Sequence, residues 1–73
     1  MEVILAGFAQ RLKPLRKSKG KTQVEMAKLL DCTDRHYQKI EYGHINVSAT
    51  MLMTLADYFG VSTDYLLGRT DQP

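Results

Sequence analysis

The stretch from Thr22 to Gly43, TQVEMAKLLDCTDRHYQKIEYG, holds two helix starts and two helix stops within 22 residues. Thr22 followed by Glu25 has the form of a capping box, in which the hydroxyl meets a free amide and the carboxylate reaches back to the cap. That predicts a helix from about Gln23 to Leu30, with Met26, Ala27 and Leu30 inward. Ala27 is small enough to let another helix approach. Asp31 and Cys32 make a short turn. Thr33 caps a second helix that runs to about Tyr42 and is stopped by Gly43. Tyr37 and Ile40, three apart, face a core. Arg35, Gln38, Lys39 and Tyr42 face the other way, polar and partly charged. Asp34 stands at the leading edge of that face.

On the N-terminal side, Ile4, Phe8, Leu12 and Leu15 form an apolar stripe at helical spacing. Pro14 lies inside it and removes a helical hydrogen bond, so a kink, or two short helices meeting near Lys13, is expected. Gly20 ends this segment. On the C-terminal side, His44 to Val47 read as a loop. Ser48 caps a helix of about Ala49 to Phe59, with Leu52, Leu55, Ala56 and Phe59 inward, and Gly60 ends it. Ser62 caps a short last helix through about Leu67, with Leu66 inward, and Gly68 closes it. The tail RTDQP has no apolar anchor and is expected to fray. No segment alternates as a strand would. The fold class expected is all-α, a compact five-helix bundle with a central helix-turn-helix, as a single domain over 1–73.

A chain of 73 residues allows one small domain with a thin core. Cys32 is its only cysteine, so no internal disulfide forms, which fits a reducing, cytoplasmic compartment. The apolar start MEVILAGFA has no basic leader and is too short for a secretion signal. No apolar run approaches a membrane span. The net charge of +2 conceals an asymmetry: residues 11–39 hold nine of the ten Lys and Arg residues against three acids. Such a concentration reads either as a footprint for a polyanion or as a solvated surface.

Several pieces occur together in order: Thr22-Gln23, Ala27, Ile40-Glu41 before Gly43, and LADYFGVSTDYLLG. In this arrangement the chain, from about Phe8 to Gly68, resembles the lambda-repressor-like, or Cro/repressor (XRE), helix-turn-helix family. The resemblance implies a third helix lying in the DNA major groove, with the second crossing the backbone above it. It implies base-reading positions at Asp34, Arg35, His36 and Lys39, with Gln38 adjacent. Arg35 has the forked guanidinium that pairs both acceptors of guanine. Lys39 suits guanine or phosphate, and His36 at the edge of the face suits packing, hydration or a base. Asp34 has two compatible readings, a charge favoured by the helix dipole and an acceptor for a cytosine amino group.

For phosphate the resemblance points to Gln23, whose family counterpart makes that contact. Lys21, Lys13, Lys17 and Lys19 are flanking candidates, or else a solvated basic rim. Tyr42 stands where the family often has Asn, and it keeps a hydroxyl for phosphate. Arg16 and Glu41 match positions that tie the first helix to the end of the third. The chain departs from the family at Pro14, where a helix former is usual, and at Asp31, where the turn usually has Gly. Val47 replaces a frequent Pro, and Cys32 takes a small apolar position expected to be a buried thiol.

The function expected is a sequence-specific transcriptional regulator of bacterial or phage type. The more specific expectation is a repressor that binds a pseudo-palindromic operator as a homodimer. Val24, Leu29, Met51, Met53, Tyr58 and Leu67 exceed what five small helices bury, and Met51, Met53, Tyr58 and Leu67 are the dimer candidates. The alternative is an antitoxin, anti-repressor or adaptor that mainly holds another protein. No nucleophile–base set supports an enzyme. No metal is expected, because Cys32, His36 and His44 lack a fourth ligand, and no cofactor or phosphate loop is indicated. The partners expected are double-stranded DNA and a second copy of the chain.

Overall fold

Four of the helix starts are fixed by a hydroxyl, and the helix ends by tight left-handed turns. The computed structural model describes residues 6–73, so Ile4 and the apolar start before Ala6 lie outside the described residues. Five helices follow in order: α1 Ala6–Ser18, α2 Gln23–Leu29, α3 Asp34–Glu41, α4 Ala49–Phe59 and α5 Thr63–Leu66. There is no strand among the described residues. The Thr22 hydroxyl accepts from the Glu25 amide at 3.1 Å, and the Glu25 carboxylate accepts from the Thr22 amide at 3.0 Å. Both halves of the capping box are therefore closed. Thr33, Ser48 and Ser62 cap α3, α4 and α5 in the same way, each accepting from an amide three residues on.

The turn between α2 and α3 is built on Asp31, the only described non-glycine residue with positive φ, at 55°. The Cys32 amide donates to the Ala27 carbonyl at 3.0 Å and the Asp31 amide to Lys28 at 3.2 Å. This paired closure usually employs glycine. After α3, Gly43 at φ 78° closes the same way, with the His44 amide on the Lys39 carbonyl at 2.9 Å.

Phe8 and Leu12 from α1, Met26, Ala27 and Leu30 from the α2 region, and Tyr37 and Ile40 from α3 meet in the core. Leu55, Ala56 and Phe59 from α4 and Leu66 from α5 complete it. α3 packs against both α2 and α1, while α5 packs against α4 and α1. α3 is thus held from two sides.

Two expectations need correction. α1 is one helix through Pro14, not two meeting near Lys13. Pro14 is exposed, and the carbonyl it leaves unpaired belongs to Gln10, also exposed, where water can satisfy it. The Cys32 side chain is half-buried rather than fully enclosed, although it packs against the core. Burial, and then the charges of Asp31 and Asp34, push its thiol up from the ordinary value.

Candidate nucleic-acid interface

The buried stripe of α3 leaves a complementary polar face. Tyr37, Ile40 and Glu41 point inward, whereas Asp34, Arg35, His36 and Lys39 are exposed and Gln38 is half-buried. Among the described residues no hydrogen bond or ion pair engages the side chains of Arg35, Gln38 or Lys39. The face therefore has free donors and a width set by one helix, which is the width a major groove admits. Tyr42, 56% exposed, follows at the end of α3, with its ring centroid 6.1 Å from that of His44.

The orientation of this face rests on one buried ion pair. Arg16 Nε donates to Glu41 Oε2 and Arg16 Nη2 to Glu41 Oε1, both at 2.9 Å. Arg16 Nη1 also donates to the Lys21 carbonyl at 2.8 Å, so α1, the following turn and the end of α3 share one guanidinium. Burial pushes the Glu41 carboxyl up, but the hydrogen bonds and charge of Arg16 outweigh it and hold the group below the usual carboxylate range. The same bond raises Arg16 above its ordinary value. Beside the pair, the Tyr37 hydroxyl is fully buried and closes no hydrogen bond among the described residues. Burial, and then the Glu41 charge, push its ionisation far up.

Gln23 Nε2 sits 3.4 Å from Glu41 Oε1. The side chain at the start of α2 is thereby joined to the network that seats α3, a link with no signal in the sequence because it depends on how α2 crosses α3. Lys21 Nζ lies 3.8 Å from Glu25. Lys13 and Lys17 are exposed along α1 and flank a cleft of about 390 Å³ that Glu41 also lines. Lys19 lies away from them, with Nζ 5.5 Å from the Tyr58 ring centroid.

The four dimer candidates do not share a face. Met53 is 62% exposed, while Met51, Tyr58 and Leu67 are half-buried. Met51 and Tyr58 are seven residues apart and lie on one side of α4, with Met53 about 200° round from Met51 at 3.6 residues per turn. A separate link was also invisible in the sequence. Arg11 stacks over Tyr65 at 4.1 Å and donates to Asp71 at 2.9 Å, which ties α1 to α5 and the following tail.

The helix-turn-helix family pattern matches residues 12–66, which covers all of α2 to α5 and the second half of α1. The chain belongs to the Cro/repressor (XRE) helix-turn-helix family. It carries a DNA-binding helix-turn-helix domain of the XRE type. The SPbeta prophage-derived HTH-type transcriptional regulator YonR of Bacillus subtilis is 43% identical over 63 residues, covering 86% of this chain and 58% of YonR. The HTH-type transcriptional regulator ImmR of the same organism is 34% identical over 64 residues, covering 88% of this chain and 50% of ImmR. This XRE domain thus spans little more than half the length of those relatives. Among solved structures, the restriction-modification controller protein C.AhdI from Aeromonas hydrophila superposes with a TM-score of 0.73 at 32% identity, covering 85% of this chain and 94% of C.AhdI. The hypothetical transcription factor NHTF from Neisseria gives a TM-score of 0.76 at 23% identity, covering 88% and 72%, and speaks for the fold alone. No helix among the described residues is long and apolar enough to cross a membrane.

Proposed function

We propose that this chain acts as a single domain over 1–73 that represses transcription by occupying a pseudo-palindromic operator as a homodimer, with α3 in the major groove. The observation that carries the reading is the free, exposed pair Arg35 and Lys39 on a helix seated by the Arg16–Glu41 bond. Arg35 pairs with guanine, Lys39 with guanine or phosphate, and Asp34, His36 and Gln38 trim the choice at neighbouring bases. Gln23 and Tyr42 hold phosphates on either side of α3, and Lys13, Lys17 and Lys21 extend the backbone contact, whereas Lys19 is turned to the Tyr58 ring. The relatives named as transcriptional regulators in Bacillus subtilis support the bacterial or phage setting, and a cytoplasmic site of action follows from it. Met53 is the strongest anchor for the second copy, because it is the most exposed of the four candidates.

Selection of bound sites from random duplexes, followed by affinity measurement at two salt concentrations, tests the reading. Arg35→Ala is expected to flatten the sequence preference, with a loss of about 1–3 kcal/mol of discrimination at one base. Gln23→Ala is expected to weaken binding to every duplex by a similar factor. Binding that ignores both changes, or that is indifferent to salt, overturns it. An antitoxin or adaptor role is the outcome if a stable heteropartner is recovered and no duplex is protected.

A further inference from the structure

A second surface lies away from α3. Between α2, the α1–α2 turn and the end of α4 opens a groove of about 510 Å³, lined by Lys21, Glu25, Met26, Lys28, Leu29 and Tyr58. Its lining includes no residue of α3. Met26 forms a buried floor, and Tyr58 forms a wall that packs edge-on against Phe59 with centroids 5.1 Å apart. Leu29 stands at the lip, 39% exposed. Three ammonium groups surround these apolar side chains, since Lys19 reaches over Tyr58 and Lys21 and Lys28 line the groove.

The lining contains one acid, and it is already occupied. Glu25 accepts from the Thr22 amide and lies beside Lys21. Lys28, which lines the groove, and Lys19, over the Tyr58 ring at its edge, have no ion-pair partner among the described residues. Apolar surface ringed by unpaired cations selects for an occupant that is both apolar and anionic. A nucleic-acid backbone meets only half of that requirement. It satisfies ammonium groups, but it offers no bulky apolar group to cover Leu29 and Tyr58. A second copy of the chain offers apolar side chains, but it brings a net charge of +2 to a site that is already positive.

We propose that this groove docks an acidic peptide segment of another protein, anchored by a bulky apolar side chain against Leu29, Met26 and Tyr58 and held by carboxylates on Lys19 and Lys28. The anchor supplies affinity, and the carboxylates supply orientation and encounter rate. Because α3 takes no part, the segment binds while the reading face is engaged, so it links bound DNA to a second protein.

The test uses the full chain and a labelled synthetic peptide of Glu and Ala carrying one Leu and one Phe a helical turn apart. Saturable binding is expected, with amide shifts centred on Lys28, Leu29 and Tyr58. Leu29→Ser and Lys28→Glu, both exposed positions, are each expected to weaken binding at least about tenfold while thermal unfolding and DNA affinity hold. Peptide is also expected to remain bound when a saturating duplex is added. Equal binding of a peptide whose Leu and Phe are replaced by Ala overturns the proposal, because it reduces the effect to polyanion attraction. Shifts centred on α3, displacement of peptide by duplex, or the same amides shifting with protein concentration alone also overturn it.

Discussion

Glu41 is the one charged residue that the described fold takes out of water, at 4% exposure, and it is tolerated because Arg16 meets both its oxygens. Breaking such a pair strands the surviving charge, which costs about 3–5 kcal/mol. A chain of this length has roughly 4–11 kcal/mol in total, so Glu41→Gln should remove much of the stability in a denaturant titration. The sign with pH follows from the direction of the shift. The folded carboxyl ionises below its ordinary 4.5, so its contribution is complete above about pH 4.5 and is lost as the pH falls through the lower folded value. Glu25 is also lowered, chiefly by its bond from the Thr22 amide, and adds an acid slope of the same sign. The comparison is therefore wild type against Glu41→Gln from pH 7 to 3, where the variant should show the shallower acid slope. Equal slopes would mean that Glu41 does not carry the linkage. Asp31 makes the opposite case. Its φ of 55° strains an L residue, and Asp31→Gly should raise stability by up to about 1 kcal/mol. The sequence marked Asp31 as a departure, and the turn forms there regardless because its two backbone hydrogen bonds are made.

The helices were legible because their boundaries are local chemistry. α4 begins and ends where its cap and glycine put it, and α2 is shorter by a single residue than its pattern suggested. Thr22→Ala should cost about 1 kcal/mol by opening the capping box, read as a lower unfolding midpoint. What the pattern could not supply was contact between elements. Pro14 is harmless only because its face of α1 is turned to water. Met51 and Met53 both count as apolar in the sequence, but helix geometry sends them to different sides. A close approach of α1 to the end of α5 also escaped notice. A Cβ on Gly7 would lie 3.1 Å from the Leu67 carbonyl oxygen, where α1 meets the end of α5. Because the neighbour is backbone, Gly7→Ala should force the two elements apart and cost about 1–3 kcal/mol. An unchanged midpoint would show that α5, only four residues long, can shift freely.

For the molecule as a whole, the arrangement that favours a polyanion is the separation of charge along the chain. Residues 11–39 carry the cations, whereas Asp57, Asp64 and Asp71 are spread over α4, α5 and the tail. The exposed polar face of α3 was legible because one amphipathic helix defines it, while the Gln23–Glu41 link and the groove beside Tyr58 arise only when α2 is set against α3 and α4. Two accounts of an affinity for duplex DNA then compete. In the first, individual lysines touch phosphates and release counterions, so each removed contact lowers the steepness of log K against log salt by about one. In the second, net charge alone attracts the duplex, and any unit of charge counts equally wherever it sits. Lys17→Gln and Asp57→Asn distinguish them, since both side chains are exposed and lie on different helices. Contact predicts that Lys17→Gln reduces the salt slope by about one for every sequence tested and that Asp57→Asn leaves it alone. Equal and opposite changes in the two variants would mean that the field of the whole molecule, screened within about 8 Å at physiological salt, does the work assigned here to the α1 lysines.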